Sequence, residues 1–164
     1  MKQIFSIPIG GTSLTDPATE VGMERWADGK RYRFVKNSSG GALAVGDCVC
    51  YGVTGDATVK NEVFKLGQSS KGTTVSFFAG CSQDVVPDGA YFWLQTGGPG
   101  TAKIYDAGAS VIIGDYLVPV SGQFYASLHV ATAADIKHPR LMIATAAYTA
   151  AATATTMLVV INGG

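Results

Sequence analysis

The sequence predicts an all-β domain, a compact sandwich or barrel of many short strands preceded by an extended N-terminal arm. Three observations carry this. Short apolar runs recur between clusters of Gly, Pro, Asn and Asp about every 8 to 12 residues, the rhythm of strands joined by turns. Glycine, at 21 of 164 residues, exceeds its average share of about 7%. Charged residues make up only 15% of the chain and hydrophobic ones 47%, which excludes disorder and leaves enough apolar surface for one core.

Residues 1–24 read as the arm. Ile4, Phe5, Ile7 and Ile9 are apolar, but Pro8, Gly10, Gly11, Pro17 and Gly22 deny the segment a long regular element. Asp16-Pro17 suits the opening of a helical turn, which Gly22 soon weakens. A single β domain, residues 25–164, follows. Ala27-Asp28-Gly29-Lys30 is a turn, and Arg31–Val35 alternates charge with bulk as a half-buried strand does. Further strands are expected at Asp47–Val53, Val63–Leu66, Thr74–Ala79, Ala90–Thr96, Thr101–Tyr105, Tyr116–Val120 and Gln123–Leu128. Pro87-Asp88-Gly89 and Thr96-Gly97-Gly98-Pro99-Gly100 read as sharp reversals. Thr132–Lys137 is the one helical turn expected in the domain, and Pro139 ends it.

The last 24 residues, Leu141–Gly164, carry no charge. Their centre is too rich in Thr and Ala for a membrane span, so they read as two strands, Leu141–Ala147 and Met157–Ile161. A faint echo links Ala42–Cys50 with Ala109–Val118: an apolar approach, a Gly-Asp turn, an apolar strand. Two copies fall short of a repeat architecture, and the preferred reading is one turn solution used twice.

Twelve basic and twelve acidic residues cancel. Nucleic-acid binding is disfavoured, because phosphate contacts need a basic excess. Near-zero charge suits a protein that lives in an assembly. The apolar patch near Met1 is broken by Pro8 and Gly10-Gly11, so no secretory leader is expected.

No catalytic constellation emerges, and neither enzyme activity nor a cofactor nor a metal is expected. His129 and His138 fit no ligand or triad spacing. Cys48-Val49-Cys50 is too close for a usual zinc pair, so these two and Cys81 read as small core fillers. Gly97–Lys103 lacks the Gly-Lys-Ser/Thr ending of a phosphate loop and reads as a tight hairpin. Asn37-Ser38-Ser39 matches a glycosylation sequon, discounted without a leader.

Two features stand out. Lys30, Arg31, Arg33 and Lys36 concentrate basic charge, with Arg31 and Arg33 on one strand face; they form either a solvated face or an anchor for an acidic protein surface. Tyr91-Phe92-Trp93-Leu94 sends aromatic bulk to both faces of one strand, which makes that strand central or places it between subunits.

The order Asp28–Lys36, Ala42–Asp47, Val86–Gly98 and the closing Val159-Val160-Ile161 resembles the decoration or cement proteins of tailed-bacteriophage heads, across residues 25 to 164. The resemblance implies a β domain, often a homotrimer, on the outer surface of the virion, binding the major capsid protein between capsomers. The arm, through Ile4, Phe5, Ile7 and Ile9, is expected either to dock on the capsid or a neighbouring subunit or to pair on its own domain. Arg31 and Arg33 are the expected second contact. The alternative is a receptor- or carbohydrate-binding β module of a phage fibre or spike, which an exposed Trp or Tyr in a groove would favour. Neither nucleic acid nor membrane is an expected partner.

Overall fold

The computed structural model describes residues 8–14, 21–51, 61–64, 77–105, 110–120, 123–128, 142–149 and 153–162. They form eleven strands: β1 (Thr12–Ser13), β2 (Glu24–Ala27), β3 (Lys30–Asn37), β4 (Cys48–Tyr51), β5 (Glu62–Phe64), β6 (Phe77–Cys81), β7 (Tyr91–Ile104), β8 (Tyr116–Pro119), β9 (Ala126–Leu128), β10 (Met142–Ala144) and β11 (Thr155–Asn162). The all-β expectation therefore holds, and no helix occurs among the described residues. The two segments read as helical turns, Asp16–Glu20 and Thr132–Lys137, lie outside them.

The local grammar of the strands is the one their residues dictate. Asp28 and Gly29 both take positive φ, 52° and 73°, which makes the two-residue turn that matches strand twist and sets β2 against β3. In β11, Met157, Val159 and Ile161 are buried while Thr156, Leu158, Val160 and Asn162 are exposed, a strict period of two.

One expectation fails. Thr96–Gly100 does not reverse the chain; β7 runs unbroken for 14 residues through Gly97-Gly98-Pro99-Gly100. The glycines mark a bend at which β7 changes partners. Before it, Gln95 pairs with Tyr32 of β3 on one flank and with Cys81 of β6 on the other. After it, Gly98 to Ile104 pair with β11, and Ile104 pairs with Ala126 of β9. Gly98, at φ +86°, passes so close to the β2–β3 turn that a Cβ there would lie 2.5 Å from the Gly29 carbonyl oxygen. The buried Gln95 side chain holds the bend, donating from Nε2 to the carbonyls of Gly97, Gly98 and Pro99 at 3.1, 3.3 and 2.8 Å.

The bend joins two closed barrels that share β7. The first closes in the order β3–β7–β6–β4–β5–β3. The second closes as β7–β11–β10–β8–β9–β7. The two orders are the same five steps, with one parallel pair in each, β3–β5 and β7–β9. Even the isolated bridges correspond: Leu43 with Val86 in the first barrel, Val111 with Tyr148 in the second.

The Gly-Asp echo is thus part of a duplicated unit rather than one turn used twice. Around each turn the backbone repeats bond for bond. Gly46 N–H donates to the Ser82 carbonyl at 2.7 Å and Gly114 N–H to that of Ala144 at 2.9 Å. Ser82 N–H donates to the Asp47 carbonyl and Ala144 N–H to that of Asp115, both at 2.9 Å. The interiors match as well: Leu43, Val49, Val63, Val86, Phe92 and Leu94 occupy the places of Val111, Leu117, Ala126, Tyr148, Met157 and Val159, and all are buried. Burying each large one is worth roughly 1.5–3 kcal/mol, so two small cores stand where one was expected. The seam between them is also apolar, since Cys48, Phe78 and Cys81 of the first barrel pack into the core cluster of the second.

Candidate functional site

The duplication makes the two barrels' outer faces comparable position by position, and they differ. In the first barrel the outer face of the β3–β7 pair carries Tyr32, Phe34 and Trp93, all buried, with the Phe34 and Trp93 rings 5.0 Å apart. Large aromatics survive there because the N-terminal segment lies over them. Ile9, Val21, Met23 and Ala27 pack against this cluster. The cover is pinned by backbone bonds, Gly22 N–H to the Phe34 carbonyl at 2.7 Å and Phe34 N–H to the Met23 carbonyl at 2.9 Å. It is extended by β1, which pairs with Tyr91 and Phe92.

In the second barrel the corresponding pair is β7–β11. Phe34 opposite Trp93 becomes Thr101 opposite Leu158, and Tyr32 opposite Gln95 becomes Pro99 opposite Val160. Val160 is also paired with Ile143, and Ile143 with Tyr116, so Tyr116, Ile143, Val160 and Pro99 form one row across four strands. Among the described residues no segment covers this row: Ile143 and Val160 are exposed, and Leu158 beside them is 58% exposed. Three aliphatic side chains lie together on this sheet face, and the charge next to them, Lys103 opposite Thr156, is engaged by Asp47. Such an apolar group suits a protein-binding surface, since interface centres are depleted in charge.

The expected contact residues fall elsewhere. Ile9 is half-buried on the chain's own aromatic cluster, and Ile4, Phe5 and Ile7 lie outside the described residues. Arg31 and Arg33 share a strand face, as their spacing requires, and both are engaged within the chain. Arg31 Nε donates to Thr96 Oγ1 at 3.0 Å. Arg33 donates to Asn61 Oδ1 at 2.9 Å, lies 3.7 Å from Glu24 and stands over the Tyr51 ring. Burial pushes the Tyr51 hydroxyl above its ordinary pKa, and the Arg33 guanidinium pulls the other way. Trp26, on the edge strand β2 opposite Arg31, is 70% exposed.

Tyr91-Phe92-Trp93-Leu94 belongs to the central strand. Phe92 and Leu94 face the first barrel's interior, and Tyr91 and Trp93 the arm-covered cluster. The three cysteines are fully buried thiols, with Cys48 Sγ 3.7 Å from Cys81 Sγ. Asn37, the sequon residue, is buried and donates from Nδ2 to three carbonyls. His129 and His138 lie outside the described residues. Among the described residues no three of His, Cys, Asp and Glu converge on a point that could hold a metal ion.

The exposed face was missed in the sequence although its signal was there. Thr155–Asn162 is apolar on both faces, at Leu158 and Val160 as well as at the buried positions, which an outer strand of a lone soluble domain does not require. No protein-family model matches the chain, and no curated protein matches it either.

Proposed function

We propose that this chain is a structural protein of a tailed-bacteriophage virion that sits on the outer capsid surface as a homotrimer, binds the major capsid protein between capsomers and stabilises the lattice. The observation that carries the reading is the exposed apolar group of the second barrel, Ile143, Leu158 and Val160. Their counterparts in the first barrel, Cys81, Trp93 and Gln95, are all buried, Trp93 beneath the N-terminal segment and the other two where the barrels meet. The sequence resemblance supports the capsid as the partner. In this reading Ile4, Phe5 and Ile7 of the arm supply a further contact. A ligand that binds only the assembled lattice stabilises it by mass action, and many modest contacts repeated over a shell add to a large effect.

Leu158→Asp with Val160→Asp tests it on particles stripped of the protein. These side chains are exposed, so folding and melting temperature stay as in the parent while rebinding is lost. Rebinding at parental affinity by a folded double variant would sink the reading.

A glycan- or receptor-binding role is the second reading, and exposed Trp26 favours it, since sugars stack on open indole faces. Saccharide-dependent quenching of tryptophan fluorescence that disappears in Trp26→Ala would shift the assignment to that class.

A further inference from the structure

The duplication exposes a second surface whose counterpart is covered. Within the chain, the tip of the first Gly-Asp turn is seated on the second barrel. The Gly46 carbonyl accepts Lys103 N–H at 2.7 Å, and Lys103 Nζ donates to Asp47 Oδ1. The fit is close, since a Cβ at Gly46 would lie 2.9 Å from Lys103 N.

The second turn has the same backbone, and no described residue is seated against it. Gly114 has open space where a Cβ would point. Ile112 and Ile113, in the places of Ala44 and Val45, are 63% and 69% exposed. Asp115 forms no ion pair with any described residue. The residue matching Lys103 in the first barrel is Lys36: each immediately precedes the residue that makes the corresponding parallel pair, Asn37 with Val63 and Ile104 with Ala126. Lys36 is partly exposed, its Nζ 5.9 Å from the centre of the Tyr91 ring.

We infer that the second turn of one copy docks on the first barrel of another copy, Asp115 facing Lys36 across the contact as Asp47 faces Lys103 within the chain. This deepens the self-association in the proposed function by naming its two surfaces. The substitution pattern fits. A contact inside one chain is held at high effective concentration and needs little apolar area: Gly46 and Asp47 make it, while Val45 beside them stays 39% exposed. A contact between chains must offset lost translational freedom, and two isoleucines supply the area for it. The backbone part of the inner contact is not copied, because Lys36 N–H already donates to the Asn61 carbonyl at 2.9 Å. Turn against barrel is a head-to-tail contact, which closes into a ring when its rotation allows.

Sedimentation velocity on the purified full-length chain across the micromolar range provides the test. The parent associates; Lys36→Asp and Ile113→Ser each raise the dissociation constant about tenfold or more, with unchanged melting temperature. Asp115→Lys does the same, and the double variant Lys36→Asp with Asp115→Lys recovers association. If Asp115→Lys does not fold, Lys36→Asp and Ile113→Ser decide: loss of association in both supports the contact, retention in both overturns it. A monomeric parent that still binds particles overturns this inference and leaves the capsid reading standing. Association without particle binding does the reverse.

Discussion

Asp47 and Asp115, 68 positions apart, hold the same bond: each carboxylate Oδ2 accepts the backbone N–H three residues earlier, Ala44 at 2.7 Å and Ile112 at 2.9 Å. The local structure of the two turns is therefore equal, and their surroundings are not. Asp47 is buried against the second barrel with Lys103 at its other oxygen, whereas Asp115 is half-buried and forms no ion pair with a described residue. Equal backbone in unequal settings separates the cost of a turn from the cost of a contact.

Gly46→Ala and Gly114→Ala measure that difference. Both glycines have positive φ, +84° and +93°, so each alanine costs about 1 kcal/mol in backbone strain. Only the Gly46 methyl also meets backbone, at Lys103 N, and has to push the two barrels apart. Urea denaturation should show Gly46→Ala as the more damaging by at least about 1–3 kcal/mol, the scale of core overpacking. Equal midpoint shifts would mean that the seam yields freely.

Gln95 should behave as a keystone of β7. Gln95→Leu keeps the volume but removes the donor to the Gly97, Gly98 and Pro99 carbonyls. These carbonyls are half-buried or exposed, so losing their donor costs about 1 kcal/mol, toward the low end for an unpaired acceptor. Hydrogen exchange of the amides in both barrels reports whether the bend loosens; unchanged protection and stability would show that the strand holds its own path.

The thiols set a pH dependence. Burial pushes the Cys81 thiol well above its ordinary pKa, and neighbouring Cys48 adds to the shift. The folded protein keeps a proton that the unfolded chain releases above about pH 8.5, so stability is full below that pH and falls as pH rises beyond it. Burial raises Tyr32 and Tyr51 too, which extends the fall above about pH 10. Denaturation midpoints from pH 7 to 10 should decline, with a shallower slope in Cys81→Ala. At pH 8 a thiol reagent should find the three cysteines closed in the native protein and open in denaturant. Fast labelling of the native state would refute this burial.

Two truncations divide the arm. Deleting residues 1–7 retains Ile9 on its aromatic cluster and β1 on β7, so the melting temperature should hold while particle binding weakens. Deleting residues 1–11 also strips the half-buried Ile9, about 1 kcal/mol, and lowers the melting temperature by about 2–4 °C. If the shorter deletion is already as destabilising as the longer, the residues before Ile9 belong to the domain's own packing.

Much of this was open to reading in the residues. Arg31–Val35 alternates, Asp28-Gly29 turns, and Tyr91–Leu94 has bulk on both sides because it lies at the centre. The duplication was nearly invisible, because a barrel interior asks only for apolar volume. Phe92 and Met157, or Val86 and Tyr148, fill equal places without resembling each other. Identity persists where backbone geometry or charge demands it, at Gly46 and Gly114, at Asp47 and Asp115, and at Lys36 and Lys103.

By itself the sequence determined strand period, turn positions and the all-β class, since each follows from dihedral preference and side-chain alternation within a few residues. Only the tertiary structure decided that Gly97-Gly98-Pro99-Gly100 carries β7 from one barrel into the next instead of turning it back. The local signal is the same in both cases. Which path the chain takes depends on whether β3 and β11 are there to pair on either side of the bend, and those partners lie more than 50 residues away. The same distance rule left Leu158 and Val160 bare and Trp93 covered: a strand's residues set which face they point to, and the rest of the chain sets what lies over that face.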